Sequence, residues 1–195
     1  MKKFTVLAAL MILFCSTSLT AKSFDWSECW CNYGGGIKEG DLIVSATTGL
    51  MFTDLAYSVH DGYWYIPPLM VEVQYALPIW KLPFTFGGYA GLHAYGYSYD
   101  VWEDGKRTTN KGSYWGLFFG AEAAYHMQMP PKNLDLYAVT RMGANLPFVK
   151  PGEYWNPDFV QFGEALGANW FFNDTFGLNL EFGYPFGKCG VTFKF

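Results

Sequence analysis

From about residue 40 onward, apolar and polar positions alternate with a period of two, and Gly and aromatic residues recur at alternate places. No segment carries a 3.6-residue apolar stripe, so the pattern predicts strands throughout. Eight segments stand out, at 41–52, 69–77, 84–99, 113–127, 134–146, 158–172, 176–184 and 188–195. Between them lie "IPP" (66–68), "LPIWKLP" (77–83), "DVWEDGKRTTNKG" (100–112), "MQMPPKN" (127–133), "PFVKPGEYWNP" (147–157), "NDT" (173–175) and "PFG" (185–187). Pro lacks the N–H that a ladder needs, and Gly, Asn and Asp accept turn geometry, so each of these reads as a stop. The connections at 53–68, 100–112 and 147–157 are long and alternate with short ones, the loop asymmetry of outer-membrane barrels.

The two faces of each segment differ in size as well as polarity. In 113–127, Trp115, Leu117, Phe119, Ala121, Ala123, Tyr125 and Met127 oppose Gly116, Phe118, Gly120, Glu122, Ala124 and His126. In 176–184, Phe176, Leu178, Leu180, Phe182 and Tyr184 oppose Gly177, Asn179, Glu181 and Gly183. Segments 69–77 and 134–146 split in the same way, with Glu72 and Arg141 on the mixed face. A soluble sandwich turns its apolar face inward and charges the outer one. Here the mixed face is small and carries isolated charges, which suits the narrow interior of eight closed strands. The aromatics are then outside, with Trp115, Tyr125, Trp170, Phe172 and Phe176 near segment ends as an interfacial girdle. The expected fold is all-β, an eight-stranded antiparallel up-and-down transmembrane barrel over residues 41–195. Glu164 interrupts this pattern, falling among Val160, Phe162, Leu166 and Trp170 on the apolar face. A bulge that turns it inward, or a place near the rim, would account for it.

Composition supports a surface that is not wholly in water: 21% of the 195 residues are aromatic and 15% charged, against roughly 25% charged in soluble domains. Lys2 and Lys3, an apolar run over 4–14 and small polar residues over 16–21 read as a signal peptide, residues 1–21, cut after Ala21. The apolar run is well short of the roughly 20 residues that span a bilayer. Its removal leaves residues 22–40 as a periplasmic N-terminal segment. Seventeen acidic and 11 basic side chains then remain, a formal charge of −6 that argues against a nucleic-acid partner. No later run of 18 apolar residues predicts a spanning helix. The classes left are a membrane barrel and a secreted soluble β-protein that binds a ligand.

The last strand closed by Phe195, the strand "FTFGGYAGLHAYGY" (84–97) and the final hairpin "FGLNLEFGYPFGKCGVTFKF" (176–195) resemble the small eight-stranded outer-membrane barrels of the OmpA, OmpX and OmpW type. The resemblance covers residues 40–195 and is specific for architecture rather than activity. It implies an outer-membrane protein with both termini periplasmic, loops 53–68, 100–112 and 147–157 extracellular, and outer-membrane lipid around the wall. It also implies that Val191, Phe193 and Phe195 form the C-terminal signal read by the assembly machinery. Cys189 departs from that pattern.

Candidate interior charges are Glu72, Glu122, Arg141, Glu181 and Lys194, with Glu122 and Arg141 in diagonal reach across the turn at 128–133. They suit a polar core that plugs a porin-like barrel; the alternatives are a narrow pore for small solutes or the lateral route for apolar compounds attributed to OmpW-type proteins. Some barrels of this size modify lipid A, but His126 is followed by Gln128 where the deacylase pattern needs Ser. His93 and His126 fall far apart, and His60 beside Asp61 has no nearby nucleophile. No enzyme activity, cofactor or metal is expected. Cys29 and Cys31 admit a local disulfide, an intermolecular one or thiols without a role. The loop sequences "YSVHDGYWYIPP" and "KPGEYWNPD" are aromatic and suit an extracellular ligand.

Overall fold

The period-two pattern becomes eight antiparallel strands: β1 (Leu42–Met51), β2 (Trp64–Ala76), β3 (Phe84–Glu103), β4 (Lys106–Gln128), β5 (Leu134–Val149), β6 (Val160–Phe171), β7 (Phe176–Tyr184) and β8 (Phe186–Lys194). The computed structural model describes residues 29–51, 63–103, 105–149 and 160–195. The signal-peptide reading, most of the loops at 53–68 and 147–157, and His60 with Asp61 lie outside those residues.

Each strand pairs with its sequence neighbours, and β1 also pairs with β8 from Ile43 opposite Lys194 to Met51 opposite Phe186. The sheet is a closed up-and-down barrel, as the resemblance implied, and closure leaves no unpaired edge in the wall. Leu42 and Phe195 exchange backbone hydrogen bonds of 2.9 Å at the foot of this seam. That end, which carries both the start of β1 and the end of β8, is the terminal end below; the other is the distal end.

Side chains alternate as the faces predicted, with the large apolar ones outside. Leu166, Phe182, Leu180, Phe162 and Met142 are all more than half exposed, while Glu122, Arg141, Glu181 and Asn179 are buried. An apolar exterior around a polar interior is the arrangement of a barrel solvated by lipid. Aromatic rings cluster at the terminal end, where Phe176 and Phe193 lie 5.3 Å apart, and at the distal end, where Trp64 and Trp115 lie 6.4 Å apart.

Two expected stops are strand. Pro67 and Pro68 sit inside β2, in a register shift between Ile66 and Leu69 opposite β3. A bulge leaves residues without a ladder partner, so the missing N–H costs nothing there. The expected loop at 100–112 is a ribbon: β3 and β4 stay in register from Tyr97 opposite Gly112 to Glu103 opposite Lys106. The chain reverses at Gly105, whose φ of 73° is the left-handed conformation that an Asp-Gly hairpin turn uses. β2 ends opposite Gly96 and β5 ends opposite Tyr114, so the ribbon projects beyond the wall. Trp115, expected at a strand end, is therefore within β4 but at the level where the wall stops.

Residues 29–41 form a strap across the terminal end. Gln128 N donates to Cys29 O at 3.1 Å, Gly35 N to Leu134 O at 3.1 Å and Gly40 N to Ala76 O at 2.9 Å, tying the strap to three strands. Ile37 packs with Ile43, Ala76 and Phe171 inside the mouth. A Cβ on Gly34 would lie 2.5 Å from Met127 O and 2.7 Å from Asp135 Cα, so only glycine lets the strap come this close.

Candidate functional site

The interior is the place where chemistry could occur, and alternation along β2, β4, β5, β7 and β8 fills it with charge. Glu122 and Arg141 are direct ladder partners rather than diagonal ones. Arg141 Nε donates to Glu122 Oε2 at 2.9 Å, Nη1 to Glu181 Oε1 at 2.5 Å, and Nη2 to Glu72 Oε1 at 2.6 Å and Glu181 Oε2 at 2.8 Å. Lys188 Nζ contacts Glu72 and lies 3.3 Å from Glu181 Oε2. None of these five side chains is more than 4% exposed. Glu72, Glu122, Arg141 and Glu181 thus meet in one cluster.

Lys194 does not join them, which corrects the expected set. It lies at the foot of β8 opposite Ile43, and its Nζ donates to the strap's Gly35 O at 3.0 Å over the Phe171 ring. Lys188 supplies the second cation instead. It shares the inward face of β8 with Thr192, two steps of the alternation away, so the parity of that strand carried the signal.

A second set of hydrogen bonds joins this cluster to the terminal end. Gln74 Nε2 donates to Glu122 Oε1 at 2.8 Å, and Thr85 Oγ1 donates to Gln74 Oε1 at 2.8 Å. His126 Nε2 lies 2.9 Å from Thr85 Oγ1, and Nδ1 lies 2.9 Å from Asp135 Oδ2. Asn169 Nδ2 donates to Asp135 Oδ2 at 2.9 Å. Asn179 Nδ2 donates to Asn169 Oδ1 at 2.8 Å and to Tyr137 OH at 2.7 Å, and Tyr137 OH donates to Glu181 Oε2 at 3.1 Å. The circuit is closed through Arg141 and draws on six of the eight strands, β2 to β7.

Gln74 turns its amide N to Glu122 and its O to Thr85, so the Thr85 hydroxyl is used as a donor toward Gln74. Thr85, His126 and Asp135 have the connectivity of a hydroxyl, imidazole and carboxylate triad, a set that sequence motifs did not flag. All three are at most 1% exposed, whereas a triad works on a substrate that can reach its hydroxyl. His93, opposite Gly116, is ten positions along β4 from His126 and shares no site with it.

Apolar layers bracket the charged ones. Toward the distal end Met51, Met70, Tyr89, Phe118 and Phe186 form a buried cluster, with the Phe118 and Phe186 rings 5.0 Å apart. Toward the terminal end lie Ile37, Ile43, Ala76 and Phe171, and Tyr33 donates to Phe84 O at 2.6 Å. Burial, with Glu39 and Asp41 nearby, pushes the Tyr33 phenol up to about 12, so it stays a donor at neutral pH.

Cys29 and Cys31 are thiols rather than the local disulfide that was one expectation: Cys29 is buried and Cys31 exposed, so the two side chains point into different surroundings. Cys189 is a thiol on the outward face of β8. Among the described residues no group of three or more His, Cys, Asp or Glu could hold a metal ion. Val191 and Phe193 face outward, and Phe195 is 68% exposed.

Glu164 stays outside. Its ladder is continuous on both sides, opposite Thr140 on β5 and Tyr184 on β7, so no bulge turns it inward. Tyr184 is the last residue of β7, which places Glu164 near the distal end of the shortest part of the wall. A carboxylate on a lipid-facing strand costs less toward the rim than at the midplane.

In fold the chain is similar to the outer membrane protein Ail of Yersinia pestis, whose backbone structure was determined in a phospholipid bilayer nanodisc. The two are 11% identical, with 81% of this chain and 100% of that chain covered and a TM-score of 0.37. No protein-family model matches the chain, and no curated protein matches it.

Proposed function

We propose that this chain is an integral outer-membrane barrel with both termini in the periplasm, whose interior is sealed and which acts from its outward surface as a structural or binding protein. The observation that carries this reading is the closed interior: five charged side chains at most 4% exposed, with an apolar layer on either side and a strap across one mouth. A solute path would have to part Arg141 from its carboxylates, leaving uncompensated charge in the interior. An enzyme would need access to Thr85, His126 and Asp135, which the strap covers. Among the described residues, the β3–β4 ribbon, which carries Trp102 at 70% exposure, stands open to a partner.

Cell fractionation with protease treatment of intact cells tests the reading. The chain is expected in the outer-membrane fraction, with mobility in gels that changes on heating, and with cleavage confined to the ribbon and loops. Recovery in the soluble fraction, or cleavage only after the cells are opened, contradicts it.

A further inference from the structure

Two thiols in the strap have no part in the sealed interior. Cys29, Trp30 and Cys31 lie in one turn, which keeps residues two apart within the roughly 4–7 Å Cα separation that a disulfide bridges. The backbone of the turn is fixed at two points: Gln128 N donates to Cys29 O at 3.1 Å, and Tyr125 OH donates to Trp30 O. The pair is therefore held at the terminal mouth, where side-chain rotation brings the two sulfurs together. Access separates them. Cys29 is 1% exposed, while Cys31 lies at the surface beside Trp30. A disulfide arriving from outside reaches Cys31 alone. In thiol–disulfide exchange the accessible thiolate attacks, and a sheltered thiol next to it resolves the mixed disulfide.

We propose that Cys31 and Cys29 form a thiol–disulfide exchange site, whose substrate is the accessible disulfide of a periplasmic thiol redox partner. Cys31 is the attacking residue and Cys29 the resolving one. The proposal rests on the reading above that puts both termini in the periplasm, a compartment kept oxidising. In the first step the Cys31 thiolate bonds to one sulfur of the partner's disulfide and the partner's S–S bond breaks. The other partner sulfur leaves as a thiolate and takes up the proton that Cys31 gave up. In the second step the Cys29 thiolate attacks Cys31 Sγ, and the Cys29–Cys31 bond forms as the remaining partner sulfur leaves and takes the Cys29 proton. The two cysteines together lose two electrons and two protons, and the partner's disulfide gains them and ends as two thiols. The structure holds the reduced, dithiol state of this exchange.

The folded full-length barrel is reduced and then given oxidised glutathione as the probe disulfide. After an acid quench and alkylation of the remaining thiols, mass spectrometry reads the tryptic peptide 23–38, which carries both cysteines. The unmodified barrel is expected to yield this peptide with an internal disulfide, lighter by two hydrogens, and with no lasting glutathione adduct. Cys29→Ala keeps the adduct on Cys31, and Cys31→Ser slows reaction at this peptide about tenfold or more, with heat-modifiable mobility unchanged in each variant. An adduct that persists on Cys31 of the unmodified barrel overturns the proposal, because Cys29 then resolves nothing. So does a Cys31→Ser variant that reacts at the unmodified rate, or a dimer linked through Cys31, which would assign that thiol to a second copy. Each of these, in a chain of heat-modifiable mobility, leaves the membrane reading standing. A chain without that mobility overturns both readings together.

Discussion

Arg141 answers carboxylates from three other strands, Glu72 on β2, Glu122 on β4 and Glu181 on β7, so one side chain ties together parts of the chain up to 69 residues apart. Removing one member of such a set is far more costly than its net contribution, because the partners stay buried and charged. Lys188 and Lys194 make the contrast testable, since one is inside the cluster and the other is half-buried at the mouth. Lys188→Ala is expected to lower stability by about 3–5 kcal/mol, and Lys194→Ala by about 1 kcal/mol, in urea titrations of the folded barrel. Equal losses would contradict the assignment. The inward position of Glu72, Glu122, Arg141 and Glu181 was legible because alternation fixes the face of every residue in a strand. Lys188 is equally legible by parity with Thr192, but it lies next to the "PFG" turn, at the first position of the expected segment 188–195. The Thr85, His126 and Asp135 contact was not legible, because register between strands is a property of pairing and no single segment contains it.

At the level of elements, the ribbon is where local sequence signals misled, whereas the strap falls in the segment expected to be periplasmic. Gly34 and Gly35 are the residues that let it lie against Asp135 and Phe171. Gly34→Ala is expected to cost about 1–3 kcal/mol, as overpacking does, and to speed labelling of the buried Cys29 thiol toward the rate of the exposed Cys31. An unchanged Cys29 rate would mean that the strap is not held by this contact. The ribbon was masked by its composition: Asp, Glu, Lys, Asn and Gly at 100–112 read as loop, although Asp-Gly flanked by Thr, Val and Trp is also a hairpin signal. For β8, the outward Val191, Phe193 and Phe195 lead to a prediction about assembly rather than stability. Deleting Phe195 is expected to reduce insertion into the outer membrane while leaving the unfolding midpoint of purified, refolded barrel nearly unchanged. Normal insertion would return the terminal aromatic to an ordinary seam residue.

For the whole molecule, architecture was legible because most wall residues obey one rule, large and apolar outward, small or polar inward, across eight segments, with Glu164 outside and Met51, Phe118 and Phe186 inside as departures. What the pattern could not show was whether the interior is open. Eight strands enclose a space that side chains can just fill, so the outcome depends on which ones meet: here a charged cluster, a polar circuit and two apolar layers fill it from one mouth to the other. Conductance of the folded full-length barrel in planar bilayers tests this most directly. The sealed interior predicts no stepwise current at either polarity. Stable conductance steps from the unmodified barrel, abolished or altered by Arg141→Ala, would show a path through the network and contradict it.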